Sequence, residues 1–523
     1  MTSAADGPDS PPRGTFILLA LVTGAIVANI NLAVANVALP TIGAALDASQ
    51  DQLDAIAVAF ALGLASTVLY LGAIGDRNGR KMLFVLGAVL TVPTAFMSAW
   101  APSADFLVFA RLCSGFAAAL LFPTTLSLIS SLFKSKARVR AIALWSGLGA
   151  GFAAVGPLIG GWLLEYFWWG SVFLISVPLA VFALIVGVIV IPNHIARDTG
   201  PVDHLGGVLS VVGVGGLVVL IQTFHQGIDT QWLTILAVTS AAFVGFFLRQ
   251  SRAPRPLVSL PLAKQRTFWV AFVGGSIAFG SLIGAMFIGQ QFTQNVLGYD
   301  TLSAAAVVLP SAVCSALFGQ LAGQLIIKRG SRSPLSLGLV SIAIAFTLML
   351  FTWTEGTSIG WVLAAYAFVG TGVGLSATPA SRALMSSVPQ SHAGMGSAFL
   401  DLTRDLGGAV LQAVLGGILA ASYAKQMLAD IQALPADQAA QVTDDIADQL
   451  TSSFAGAANV ASQYSSPLSE EIINAASSAF TEGKSAAITV ALVLTILGFA
   501  LVRLRFPNKS IEDEYYAKVA LEA

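Results

Sequence analysis

The stretch GMGSAFLDLTRDLGGAVLQAVLGG, residues 394–417, sets Asp401, Arg404 and Asp405 among largely apolar neighbours. Ser397, Asp401, Arg404, Asp405, Gly408 and Gln412 recur at steps of three and four, so they share one face of a helix. Two carboxylates beside one guanidinium can take up and release a proton or hold a cationic ligand. They can equally form a static ion-pair network that ties helices together. A second polar set lies in ANINLAVANVALP, residues 28–40, and a lone cation, Arg111, interrupts FARLCSGFAAALLFPTTLSLI, residues 109–129. An amide such as Asn31 releases no proton near neutral pH, but it can accept a hydrogen bond from Arg111.

The elements that must position these groups follow from composition. The chain has 523 residues, 56% hydrophobic and 10% charged, with a mean hydropathy of +0.81. A soluble chain carries about 25% charged residues, so the solvent expected here is the lipid bilayer. The net charge of −1 leaves no basic surplus for a nucleic-acid partner. Cys113 and Cys314 fall in apolar runs and read as small core residues rather than a disulfide. HExxH, GxSxG and CxxC patterns are absent and the four histidines are scattered, so no enzyme chemistry, metal or cofactor is expected.

Runs long enough to span a bilayer lie near 15–39, 51–74, 82–101, 105–132, 140–163, 171–192, 205–224, 231–249, 268–296, 301–327, 334–354, 358–386, 394–421 and 484–505. Alternate connections hold 22 of the 26 lysines and arginines, and the other set holds only Lys425 and Lys484. By the positive-inside rule both termini are cytoplasmic. Segment 422–483 is then external, carries eight acidic residues and reads as a solvated, partly helical cap. At a rise of 1.5 Å per residue, Arg111 and Asn31 sit about 9 and 12 Å inside the outer boundary, and Asp401 about 10 Å inside the cytoplasmic one.

The connection GAIGDRNGRKMLF, residues 72–84, combines Gly72, Asp76, Arg77, Gly79, Arg80 and Lys81 in a tight turn. Asp76 can pair with those cations or with a helix N-terminus. Gly323, Lys328, Gly330 and Arg332 repeat the spacing of Gly72, Arg77, Gly79 and Lys81, with Ile327 in the place of Asp76, as a duplicated unit would leave behind. In GLGAGFAAVGPLIGGWLL, residues 147–164, glycines permit close helix approach and Pro157 bends the helix.

These stretches resemble signatures of the major facilitator superfamily. The 72–84 turn is similar to its loop 2–3 motif, 109–129 to its fourth-helix motif, and 147–164 to the G-P-x-x-G-G motif of its exporting antiporters. With NVALP and WWGSVFLISVP (168–178), the whole resembles the fourteen-helix drug:proton antiporters from about residue 15 to 505. The resemblance implies an all-α membrane protein of 14 transmembrane helices, two six-helix bundles plus two inserted helices. Its parts would be a cytoplasmic tail (1–14), an N-terminal bundle (15–192), the inserted pair with a linker (193–267), a C-terminal bundle (268–505) and a cytoplasmic tail (506–523).

It also implies a plasma-membrane carrier, acting as a monomer, that exports amphipathic or lipophilic small molecules against protons by alternating access. Gly72, Asp76, Arg77, Gly79, Arg80 and Lys81 would latch the cytoplasmic side. Gly156, Pro157, Gly160 and Gly161 would form a helix-five pivot at the interface of the bundles. The family usually carries an aspartate where Asn31 stands, so its usual proton site is missing. Asp401, tuned by Arg404 and Asp405, is the expected substitute, with Arg111 and Asn31 as a polar contact of the outer half. Two alternatives stand beside this: export of an endogenous lipid or secondary metabolite without proton antiport at the usual site, and a non-transporting membrane sensor.

Overall fold

Lipid offers the backbone no hydrogen-bond partner, so apolar runs satisfy their amides internally and become helices. The computed structural model describes residues 11–48, 50–192, 202–223, 229–254, 256–389, 393–434 and 442–521, and its regular elements are all helical. In chain order they are α1 (Gly14–Leu46), α2 (Gln50–Asn78), α3 (Arg80–Ala99), α4 (Ala104–Leu132), α5 (Ser135–Tyr166), α6 (Ser171–Leu174), α7 (Ser176–Val190), α8 (His204–Thr223), α9 (Thr230–Arg252) and α10 (Leu260–Ala263). There follow α11 (Arg266–Gln291) with a π-helical turn at Phe292–Val296, α12 (Thr301–Ala306), α13 (Leu309–Arg329), α14 (Arg332–Thr352), α15 (Ile359–Ser386), α16 (Ala393–Gln432), α17 (Asp444–Ser452), α18 (Phe454–Ala461), α19 (Leu468–Arg505) and α20 (Lys509–Leu521).

Thirteen helical stretches among the described residues are long and apolar enough to cross a membrane. Thirteen of the fourteen expected runs correspond to members of that set, and the other, 140–163, lies within helix α5 (Ser135–Tyr166). Helices α16 and α19 run well past the expected 394–421 and 484–505, because their outer turns are polar and do not register as membrane-spanning sequence. They carry α17 and α18 at their tips, where the Tyr423 hydroxyl donates to the Leu450 carbonyl at 3.2 Å. Lys484, expected on that external segment, is instead buried. Its Nζ donates to the carbonyls of Met349 and Trp353, closing the C-terminus of α14. Residues 509–521, expected as a plain tail, form α20.

Helices α1–α5 and α7 pack on one another, and so do α11, α13–α16 and α19. Small residues set the closest crossings within each group. A Cβ on Gly115 of α4 would stand 2.2 Å from the Phe60 carbonyl oxygen of α2. The two groups meet where α5 lies against α13 and α15, and where α2 and α4 lie against α16.

The pair α8–α9 joins this core through α8, which packs on α2. The Tyr70 hydroxyl meets His204 Nδ1 at 2.6 Å. Buried Asp203 accepts from Arg249 Nε at 2.9 Å and Gln250 Nε2 at 3.2 Å. Val244, Phe247 and Leu248 of α9 stay exposed, a face suited to lipid. Trp100, Tyr166, Phe167 and Trp168 are exposed at the ends of α3 and α5 opposite the 72–84 turn, as an interfacial aromatic belt requires.

Candidate functional site

Helix α16 carries the polar stripe, and its position is set first at its N-terminus. Asp76, at the end of α2, accepts the Gly394 N–H with both carboxylate oxygens at 2.9 Å. It also accepts from Arg80 Nε at 3.0 Å and Arg80 NH2 at 2.9 Å. A carboxylate on the first N–H groups of a helix satisfies otherwise unpaired donors and complements the helix dipole. The backbones can approach because both partners are glycines: a Cβ on Gly394 would stand 2.4 Å from the Gly72 carbonyl oxygen. Of the other turn residues, Gly79 takes a φ of 109°, and Arg77 is exposed. Lys81 turns away to donate to the carbonyls of Val188 and Ile191 at the end of α7, at 2.9 and 2.6 Å.

One turn into α16, the Ser397 hydroxyl donates to the Pro123 carbonyl of α4 at 2.5 Å. The next residue on that face is Asp401, 1% exposed, and neither of its oxygens has a hydrogen-bond partner among the described residues. An ionised carboxylate there would have no donor to replace water, the arrangement in which burying charge costs most. Arg404, expected to pair with either carboxylate, pairs with Asp405 alone, Nε to Oδ1 at 3.1 Å. Its NH1 reaches across the group boundary to Asn29 Oδ1 of α1 at 2.8 Å, and its guanidinium lies 4.2 Å from the centre of the Phe122 ring of α4. Asn29 Nδ2 is tied to the Ala25 carbonyl at 2.9 Å, which turns the amide oxygen toward Arg404.

The amide that meets the stripe is therefore Asn29, and Asn31 is not part of it. Asn31 donates its side chain to the Val27 carbonyl at 3.1 Å. Arg111 does not bond the Asn31 amide, as expected, but its backbone carbonyl, at 3.0 Å. The backbone carbonyl has a second lone pair to offer, while the side chain is folded back along α1 by its Nδ2 bond to Val27. Residues two apart on a helix point about 200° apart, so Arg404 and Arg111 hold different sides of α1. Arg111 is 1% exposed, with Phe60 at 4.7 Å and Phe173 at 5.4 Å, and no carboxylate among the described residues pairs with it.

The helix-five glycines divide their contacts. Helix α5 continues through residue 157 without a break. Gly160 closes on Val34 of α1, its own group, where a Cβ would lie 3.1 Å from Val34 Cγ2. The glycine that faces the other group is Gly147, whose Cβ would stand 3.4 Å from the Ala316 backbone of α13. The cross-group contact of Gly147 thus lies nearer the basic end of α5 than residues 156–161. Farther along, Leu158, Ile159 and Trp162 line a cavity of about 610 Å³ with Ser303 and Ala306. At the end of α11, Phe292 and Thr293 are buried, and the Thr293 hydroxyl donates to the Gly289 carbonyl at 2.6 Å.

Asn29 and Phe122 were missed by sequence reasoning. Asn29 had a usable signal, since it stands seven residues before Asn36 and so on the same helix face. Phe122 had none among so many apolar neighbours.

A family profile described as Major Facilitator Superfamily matches residues 21–411. The multidrug efflux pump LfrA of Mycolicibacterium smegmatis is 31% identical over 516 residues, covering 97% of this chain and 100% of that protein. The methyl viologen resistance protein SmvA of Salmonella typhimurium is 30% identical over 92% of this chain and 96% of its own length. Among solved structures, the human organic anion transporter MFSD10 (TETRAN) superposes with a TM-score of 0.60, covering 93% of this chain and 98% of that one. At 14% identity it speaks for the fold alone.

Proposed function

The chain belongs to the major facilitator superfamily, a transporter and not an enzyme, and on that premise we propose that it exports amphipathic, lipophilic cations in exchange for protons. Relatives named for multidrug efflux and methyl viologen resistance support that substrate class. In this reading α5 is the fourteenth span, the two helix groups are six-helix bundles, and a single chain in the cell membrane suffices. The basic turns and both termini face the cytoplasm.

The observation that carries the proton reading is Asp401: buried, with neither oxygen hydrogen-bonded, next to an Arg404 that is shared between Asp405 and Asn29. Protonation lets the carboxyl sit neutral in the closed stripe. A cationic substrate, or rearrangement of Arg404, compensates it once the proton leaves. Asn29 supplies Arg404 with an uncharged partner on the opposite bundle, so that contact can break without stranding a carboxylate. At the basic end Asp76 and Gly394 latch the bundles. That closure supports an outward-facing member of an alternating-access cycle.

The test is proton movement in reconstituted vesicles on adding a lipophilic cationic dye. Wild type is expected to release protons, and Asp401→Asn to bind dye without releasing them. A wild type with no proton signal that gains one through Asn31→Asp would sink the proposal. The first helix would then be the coupling site that this chain has lost.

A further inference from the structure

Helix α20 spans nothing and could have been a solvated tail, yet Glu512 is fully buried. Its Oε2 accepts the Ser331 N–H at 2.8 Å and its Oε1 the Ser331 hydroxyl at 2.5 Å, at the N-terminus of α14. Oε1 also accepts from Arg382 NH1, near the end of α15, at 3.2 Å. Asp513 lies 3.5 Å from Arg382 NH2, and the guanidinium stands 5.3 Å from the centre of the Tyr516 ring. Gly330 makes room for the contact, because a Cβ there would fall 2.8 Å from Glu512 Oε2.

Arg382 sits at the boundary between the bundles. The neighbouring Ser381 hydroxyl meets Ser146 of α5 at 3.2 Å across it, and the charge of Arg382 acts on Arg138, also of α5. Arg138 Nε donates to the Phe133 carbonyl at 2.9 Å, and no carboxylate among the described residues pairs with it. Arg138 and Arg382 thus stand on the two helices, α5 and α15, that close this boundary, in surroundings where like charges repel more strongly than in water.

We infer that Glu512 is a positioning residue of the transport cycle: it neutralises Arg382 and thereby allows Arg382 and Arg138 to lie together while the basic end is shut. When α20 withdraws, the two arginines repel and the basic end opens. The C-terminal helix then sets the balance between the two faces of the carrier. The inference rests on the alternating-access reading.

The experiment uses the full chain with Cys113 and Cys314 replaced by serine and Ser146→Cys as the only thiol, alkylated from the basic face in oriented vesicles. Labelling is expected to be slow, and about tenfold faster in Glu512→Gln. Adding Arg138→Gln, at a residue Glu512 does not touch, is expected to bring the rate back, and Glu512→Asp to keep it slow. An unchanged rate in Glu512→Gln, or a fast rate that Arg138→Gln leaves fast, overturns the inference, since loosening of a merely structural helix would ignore Arg138. If Glu512→Gln fails to fold, Arg382→Gln carries the test: it is expected to leave labelling slow, and acceleration overturns the inference. If substrate leaves the labelling of the parent chain unchanged, alternating access fails and this inference with it. If labelling responds to substrate but ignores Glu512, this inference alone fails.

Discussion

Residues 72–84 and 323–335 make the same turn twice. In both a glycine takes a positive φ, 109° at Gly79 and 77° at Gly330. In both the cation two residues on caps the end of a neighbouring helix. Lys81 holds the carbonyls of Val188 and Ile191 after α7, and Arg332 holds the Arg503 carbonyl of α19 together with the Asn508 side chain. The acid is what differs. The first turn owns Asp76, which pairs with Arg80 and crosses to Gly394 of the other bundle. The second has Ile327 at that place, and a carboxylate arrives from α20 and binds Ser331 and Arg382 within its own bundle. One backbone geometry therefore serves two tasks, and the charge placed on it decides which.

The sharpest way to break this comparison is Asp76→Asn, which takes the carboxylate from buried Arg80 and from the first N–H groups of α16. Breaking a buried pair on one side costs about 3–5 kcal/mol, so dye efflux should fall by about a hundredfold or more in the vesicle assay. Next comes Gly394→Ala against Gly323→Ala. The first methyl would lie 2.4 Å from a backbone oxygen and the second 3.1 Å from the Ala143 side chain. Overpacking costs about 1–3 kcal/mol, so efflux should drop about tenfold in Gly394→Ala and change little in Gly323→Ala. Equal losses would show that the second turn tolerates a methyl against α5 no better than the first does against α2. The smallest effects belong to Lys81→Met and Arg332→Met. Each removes a cation from a helix C-terminus, about 0.3–1 kcal/mol, and a matching small fall in thermal stability for both would support their equivalence.

The residues of the two turns differ in how much of this could be read from sequence. Asp76, its cations and its glycines are adjacent, so their spacing announced both the turn and an acid placed to meet a cation or a helix N-terminus. Asp401, Arg404 and Asp405 were legible because steps of three and four define a helix face whatever packs on it. The choice of Asn29 over Asn31 was not, since two amides on one helix differ only in the direction they point, which neighbouring helices settle. Glu512 lies 181 residues from Ser331 and 130 from Arg382. Nothing local in KSIEDEYYAKVAL distinguishes it from a solvated acid. The lengths of α16 and α19 were missed for a related reason: a hydropathy pattern reports where lipid ends, while the helix continues into water.

That continuation has a mechanical meaning. Helix α16 has 40 residues, about 60 Å at the usual rise, against a hydrocarbon layer of about 30 Å. The 11 residues past the expected span 394–421, about 16 Å of helix, form a mast braced by α19 and tipped with α17 and α18. A small tilt of the second bundle at the level of Asp401 is magnified into a sweep of several ångströms at that tip. An antibody fragment against residues 444–461 would therefore act as a brake or a pointer, arresting or reporting the swing without touching Asp401 and its polar stripe.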